Sequence, residues 1–471
     1  MRKVFDINKI CNNYKKSVIF LILGWISLWL SIDTYINFGQ IDNLLINKVE
    51  LFNNVRVLIF FITFFFSVCL ILFLIIKKKI WVKEKINNIL LILFFYFILQ
   101  IIGLQQNPEV KFNLENLYLV ILAIGALNIF FIINLLQLEK ILKYILYSSI
   151  VILALFLFVI TLSKINNSST YDQTFVFNFY SLFHPQETLL NREYPRVTGI
   201  SRMLAVVNLS LIIFLDFNNK IKSTLLLFII TIFSVLIWGM QSRGTIICFF
   251  ISLVIICFFL KNLNFKNALI LLFILSFVPA IIFEYARPVI FKKNIENYIK
   301  YQNEKNKEGY NGYNIKTDEI RLFEAKHTSG RVDLWKEVIS KYNKSKLFGY
   351  GPQADRLLLY KTDLSYKYST NVSNGVLYAF LCGGYLSVLI FFFIYYKIYT
   401  YVDYFYNKKK ILNKIDKSVK ISITLLIFFS FRSLIENSFA LFSVDFLLFL
   451  ISINVVDNFI KKNNSNKFNF S

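Results

Sequence analysis

Arginines at the ends of long apolar runs are the residues best placed to do chemistry in this chain. Arg196 and Arg202 close the segment Tyr194-Pro195-Arg196-Val197-Thr198-Gly199-Ile200-Ser201-Arg202. Arg243 sits in Gln241-Ser242-Arg243-Gly244, a tight hairpin between two apolar runs. Arg331 opens an amphipathic stretch, Arg356 follows Gly349-Tyr350-Gly351-Pro352-Gln353-Ala354-Asp355, and Arg432 lies inside an apolar run. A guanidinium presents a planar fork of donors that fits phosphate oxygens two at a time, and it stays charged at any working pH. Arginines converging on one side of a membrane therefore suit a pyrophosphate. Each has a plainer reading as an anchor whose head reaches water from a helix end. Arg432 has a specific one: Asp445 falls at similar depth across the next turn, and such a buried pair is costly to break.

Candidate proton acceptors stand close by in sequence. Glu324 and His327 precede Arg331, Asp333 follows it, and Glu436 sits four residues after Arg432. A general base must reach the proton it removes, and the imidazole of His327 has an ordinary pKa suited to neutral pH.

The elements that must position these groups follow from composition. Of 471 residues, 56% are hydrophobic and only 17% charged, against about 25% charge in soluble domains. A soluble globular protein is excluded, and the net charge of +24 has a topological rather than a nucleic-acid reading. A helix needs about 20 mostly apolar residues to cross the hydrocarbon. Twelve such runs are expected: 17–37, 57–76, 87–103, 117–136, 144–163, 203–217, 224–240, 245–260, 267–283, 375–396, 421–435 and 439–456. The first continues through Trp25 and Trp29 without a small-residue cleavage site, so it reads as an anchor rather than a signal peptide.

Cytoplasmic loops retain Lys and Arg. With the N-terminus inside, Lys15 and Lys16, Lys77 to Lys79, Lys140 and Lys143, Lys220 and Lys222, Lys261 and Lys266, the run from Lys397 to Lys420, and Lys461 and Lys462 all fall on one side. Both termini are then cytoplasmic. Two outward segments are too long to be turns, 164–202 and 286–371. Loops of that size carry function or are disordered. In the second, Val332, Trp335, Val338, Ile339 and Tyr342 recur at helical spacing, with a cap expected at Thr328 or Ser329 and a stop at Gly349-Tyr350-Gly351-Pro352. Gly383-Gly384 reads as a close helix-packing point. Only Cys11 lies outside the apolar runs, and the chain has just His184 and His327, so neither disulfides nor a metal centre nor another cofactor is expected.

Taken in order, Ser242-Arg243-Gly244, Ser329-Gly330-Arg331 with Trp335, Leu347-Phe348-Gly349-Tyr350-Gly351-Pro352 and Ala354-Asp355-Arg356 resemble the O-antigen polymerase and ligase superfamily. Ser373-Asn374-Gly375-Val376-Leu377-Tyr378-Ala379-Phe380-Leu381-Cys382-Gly383-Gly384 resembles the polymerase branch, and the likeness extends through Phe431-Arg432-Ser433-Leu434-Ile435-Glu436. The resemblance implies an all-α polytopic membrane protein of the GT-C type, with about twelve transmembrane helices and a large, partly helical periplasmic loop. It implies a metal-independent glycosyltransferase in the bacterial inner membrane that takes a glycan from undecaprenyl pyrophosphate at the periplasmic face. By the resemblance Arg243 and Arg331 would grip the pyrophosphate, with Arg196 or Arg356 assisting; Arg202 and Arg432 are further substrate-binding candidates, and His327, Glu324 and Glu436 the candidates for taking the proton. Membrane lipids, a chain-length regulator and a flippase are the implied partners, and no nucleic acid.

The ligase branch carries a His-Asn pair where this chain has Ser373-Asn374, which favours a polymerase over a ligase. A lipid-linked oligosaccharide flippase or other transporter is the reading from a different class. Transporters carry coupling charges near the midplane on broken helices in repeated halves. Here the arginines cluster outward and no repeat is visible.

Overall fold

The computed structural model describes residues 88–104, 197–215, 220–239, 242–259, 331–342, 347–352, 372–407, 416–436 and 444–468, with isolated positions between them. Among these residues the structure is helical and contains no strand. We number the helices α1 (Asn88–Leu104), α2 (Val197–Phe214), α3 (Lys220–Gly239), α4 (Arg243–Phe259), α5 (Arg331–Tyr342), α6 (Gly375–Asn407), α7 (Lys417–Ile435) and α8 (Val444–Phe468). By length and composition, α6 and α7 are sufficient to cross a membrane.

Seven of these helices coincide with expected apolar runs, and α5 with the expected loop helix. The expected runs 17–37, 117–136 and 144–163, and all but isolated positions of 57–76 and 267–283, lie outside the described residues. Several helices run past their apolar cores: α2 starts within the polar Val197 to Arg202 segment, α6 continues to Asn407, and α8 to Phe468. Backbone hydrogen bonds, not side-chain hydropathy, end a helix. At α7, for example, Glu436 turns to extended geometry while its N–H still donates to the Arg432 carbonyl at 2.7 Å.

The described residues form two compact units, one holding α2, α3 and α4, the other holding α1 and α5 to α8. In the first, Asn208 of α2 donates to the Ile230 carbonyl at 3.3 Å and to the Ser234 hydroxyl of α3 at 2.8 Å. At the start of α4 the Ser242 carbonyl accepts from the Ile246 N–H at 3.0 Å, and the Ser242 hydroxyl donates to Thr245 at 3.1 Å. Serine thus opens the helix that Arg243 begins.

In the second unit α7 and α8 pack along each other, burying Phe428, Phe429, Phe446 and Phe449 completely. Helix α6 is broken at Gly384, whose φ of 69° and ψ of −166° leave the helical region. A straight helix would hold Gly375 and Phe391 about 24 Å apart. Instead the Phe391 ring reaches within 3.2 Å of where a Gly375 Cβ would stand, so the arm 375–383 folds back along 385–407. The longer arm then runs beside α7 and α8, with Tyr395 bonded to Ser430 and Ser433, and Phe405 stacked on Phe459. The helix expected over 375–396 is present and is bent back on itself at Gly384. The glycine pair allows a break as well as a close approach, because Gly384 takes a positive φ at no steric cost.

Candidate functional site

The amphipathic segment before the Gly349 turn does form a helix, and one face of it is buried. Leu334 and Val338, one turn apart, are fully enclosed with Ala354, Leu358, Val372, Tyr378 and Leu381, and Tyr342 borders the same cluster. Val332 and Ile339, expected on that face, are exposed. Helical spacing placed those two on one face with Trp335, Val338 and Tyr342, and the packing of Ala354, Leu358 and α6 buries an edge that runs through Leu334 and Val338 instead. Trp335 lies at the margin, where its indole Nε1–H donates to the Val372 carbonyl at 2.6 Å. That bond and the buried stripe fix α5 so that its first residue, Arg331, points at the C-terminal end of α7.

Arg331 meets that end with two contacts. Its Nη1 donates to the Ile435 carbonyl at 3.2 Å and its Nη2 to Glu436 Oε1 at 2.7 Å. A cation at the carbonyl end of a helix is favourably placed against the dipole. The side chains stay partly open, Arg331 at 28% and Glu436 at 18% exposure. Glu436 turns its second oxygen to Arg432, with Oε2 4.0 Å from Nη2. Arg432 in turn bonds Asp445 Oδ2 through Nη1 at 2.6 Å, with exposures of 2% and 0%. The pair expected from equal depth is present. Two guanidinium and two carboxylate groups thus form one chain of alternating charge, Arg331 to Glu436 to Arg432 to Asp445, running from a partly open end to a sealed one.

The start of α6 is bound to the same helix end. Asn374 Oδ1 accepts from the N–H groups of Val376 and Leu377 at 2.9 and 3.0 Å, which is N-cap geometry. Its Nδ2 donates to the Leu434 carbonyl at 3.0 Å. A Cβ on Gly375 would stand 2.5 Å from the Ser433 carbonyl oxygen, so glycine lets the two backbones touch. Ser373, beside them, holds a left-handed φ of 45°. Three successive carbonyls at the end of α7, those of Ser433, Leu434 and Ile435, are therefore met by α6 and by Arg331.

The Gly349 turn has a role that its sequence alone does not show. The N–H groups of Tyr350 and Gly351 donate to the carbonyls of Leu381 and Cys382 at 2.8 and 2.9 Å. Those acceptors lie just before the break in α6. A Cβ on Gly349, at φ 65°, would stand 2.6 Å from the Gly384 nitrogen, and one on Gly103 of α1 would stand 2.5 Å from the Phe348 carbonyl oxygen. The turn is inserted backbone to backbone between α1 and α6 and satisfies the groups that the break releases.

Of the sequence-derived candidates, the structure brings together Arg331, Arg432 and Glu436. Arg202, partly buried, lies on α2 in the other compact unit, and Arg243 is the first residue of α4 there. Arg196, Arg356, Glu324 and His327 lie outside the described residues. Asn374 and Asp445 are part of the arrangement. Asp445 was legible as a charge at matching depth; Asn374 was not singled out as a cap, although an Asn just before an apolar run is a helix-start signal.

Residues 225–392 match the family model described as O-antigen ligase. That region carries Arg243, Arg331, the Gly349 turn, Asn374 and the broken helix. The match covers less than half of the chain; it marks a likeness of this region to the O-antigen polymerase and ligase superfamily and does not separate polymerase from ligase. No curated protein and no solved structure matches the chain.

Proposed function

We propose that this chain polymerises undecaprenyl-pyrophosphate-linked oligosaccharide repeat units at the outer face of the bacterial inner membrane, as a metal-independent glycosyltransferase of the GT-C type. The observation that carries the reading is Arg331, a guanidinium fixed at the end of α7 by the Ile435 carbonyl and Glu436 yet left partly open. In this reaction an acceptor hydroxyl oxygen forms a bond to the anomeric carbon of the donor. The bond from that carbon to the pyrophosphate oxygen breaks, the pyrophosphate leaves with the electron pair, and the hydroxyl proton passes to a base. Fixed donors aimed at the charge developing on the leaving group lower the barrier without reorganising at the moment of reaction. Arg331 fills that part in our reading, and Arg243, Arg196, Arg202, Arg356 and Arg432 are the further candidates. Glu436 faces two guanidinium groups, which suits orienting Arg331. Glu324 and His327 are then the candidates for taking the proton.

The polymerase reading over the ligase rests on Ser373, which stands where the ligase branch has histidine. The description of the matching family as O-antigen ligase keeps the second reading open. The break in α6 is a feature that transporters also use. Here, however, the Gly349 turn occupies it, which favours an enzyme.

The test is a gel of surface polysaccharide from wild type, a deletion, and the deletion complemented with Arg331→Ala. A polymerase deletion leaves a single repeat unit on the lipid core. Arg331→Ala at normal protein level is expected to lower polymerisation about 100-fold or more, the scale of losing one fixed donor. Loss of all glycan from the core, with lipid-linked polymer still exported, would mean a ligase. Lipid-linked units held at the inner leaflet would mean a flippase.

A further inference from the structure

We infer that Glu436 is an exchangeable counter-ion of Arg331: a pyrophosphate displaces its carboxylate from the guanidinium, and Arg432 takes the carboxylate up. The inference rests on Arg331 being a pyrophosphate ligand. The two ion pairs in the chain of charge differ in how firmly they are held. Arg432 and Asp445 are sealed from solvent, with Nη1 and Oδ2 2.6 Å apart, and a buried pair of that kind is costly to separate. Arg331 and Glu436 keep 28% and 18% of their side-chain surface, and a pair with that much access to water is weakly held. Val332 and Leu434, close to them in sequence, are exposed as well. The chain of charge is therefore fixed at one end and loose at the other.

The geometry gives Glu436 a second place to go. Its backbone N–H is tied to the Arg432 carbonyl at 2.7 Å, so only its side-chain torsions need to change. While Oε1 sits on Arg331, Oε2 stands 4.0 Å from Arg432 Nη2, about 1 Å beyond hydrogen-bond distance. Arg331 keeps its Nη1 bond to the Ile435 carbonyl at 3.2 Å. That neutral partner holds the guanidinium in place while the partner of Nη2 changes. A pyrophosphate presents anionic oxygens that the planar fork can bind two at a time, so it outcompetes a single carboxylate oxygen. Once the glycan has been transferred, the carboxylate within reach competes for the same Nη2 and repels the anion that must leave. Arg432, itself anchored by Asp445, is on this account a positioning residue that acts on the site through Glu436.

Phenylglyoxal modification of arginine, read at Arg331 by mass spectrometry on the full chain in lipid nanodiscs, tests the exchange with inorganic pyrophosphate as the probe. A bound anion shields the guanidinium, so the concentration that halves modification reports binding at Arg331 itself. In Glu436→Gln the probe should protect at concentrations about tenfold lower than in wild type, the scale of removing one charge at this distance from a partly open site. A substitution that merely damaged the structure would weaken binding, so tighter binding separates exchange from a structural role. Should Glu436→Gln fail to elute as a single species, Glu436→Ser carries the same expectation. Protection at equal or higher concentrations in the variant would overturn the inference and leave Arg331 as a pyrophosphate ligand. No protection of Arg331 in either protein would overturn the reading on which the inference rests, and the inference with it.

Discussion

The group of α2, α3 and α4 and the end of α7 both place polar side chains among apolar ones, but by different means. In the first, hydroxyls turn back on their own helices: Ser210 to the Val206 carbonyl at 2.6 Å, Ser234 to Ile230 at 2.8 Å, Ser252 to Cys248 at 2.7 Å. Such bonds form within one turn and need no partner helix. Helix α7 has back-bonded serines too, Ser422, Ser430 and Ser433, but at its end charged groups from distant parts of the chain are added, with Arg331 reaching Glu436 and Arg432 reaching Asp445. Taking full charges out of water carries a penalty of several kcal/mol per ion, which only good geometry offsets. The difference teaches where this sequence specifies register. Back-bonded serines tolerate sliding between helices, whereas the α7 charges are met only when α5 and α8 both stand correctly.

The sharpest way to break this comparison is Asp445→Ala. It takes from Arg432, 2% exposed, its buried carboxylate partner, and removing one partner of a buried pair costs about 3–5 kcal/mol. Thermal unfolding of the purified protein should show a large fall in midpoint. Combining Arg432→Met with Asp445→Leu should recover most of it, since a well-packed apolar pair often matches a buried ion pair. A single variant as stable as wild type would mean that the charges do not specify register.

Next in size is Gly349→Ala. The residue has a φ of 65°, and a Cβ would stand 2.6 to 2.7 Å from backbone atoms of Cys382, Gly383 and Gly384. A left-handed alanine costs about 1–2 kcal/mol, and backbone neighbours cannot move aside as a side-chain tip can, which adds overpacking on the order of 1 kcal/mol. Limited proteolysis should then cut within 347–358, where wild type resists. Equal resistance would show that the turn is not held by the break in α6.

What was legible in the sequence follows the same division. Apolar runs located seven helices, because the membrane-spanning requirement acts on side chains in order along the chain. Asp445 was matched to Arg432 because two spans joined by a short turn make depth readable. The Arg331 to Glu436 contact was not, since nothing local relates the short helix α5 to a helix end so far along the chain. The Gly349 turn was read only as a turn for a similar reason. Backbone inserted against backbone leaves glycines as its sole trace, and Gly103, Gly349 and Gly383 carry no mark of which meets which. The helical stripe of α5 was visible, but its buried edge depended on Ala354 and Leu358 across the turn.

The smallest effect is expected from Asn208→Leu, and it bears on the other side of the comparison. Asn208 makes the side-chain bonds that cross from α2 to α3, so a sceptic would assign it the weight that Asp445 carries. Two observations argue otherwise. Ser234 keeps its own bond to the Ile230 carbonyl at 2.8 Å when Asn208 is gone, so no donor is stranded. Among the described residues the Asn208 Oδ1 is buried with no hydrogen-bond partner, so a leucine, branched at the same carbon, removes an unmet acceptor along with the two bonds. Interhelical hydrogen bonds within membranes average about 0.6 kcal/mol, and the lost acceptor offsets part of that. The unfolding midpoint should therefore stay close to wild type under the conditions where Asp445→Ala lowers it sharply. Equal losses in the two variants would erase the distinction, since a neutral amide and a buried ion pair would then be holding their helices with the same strength.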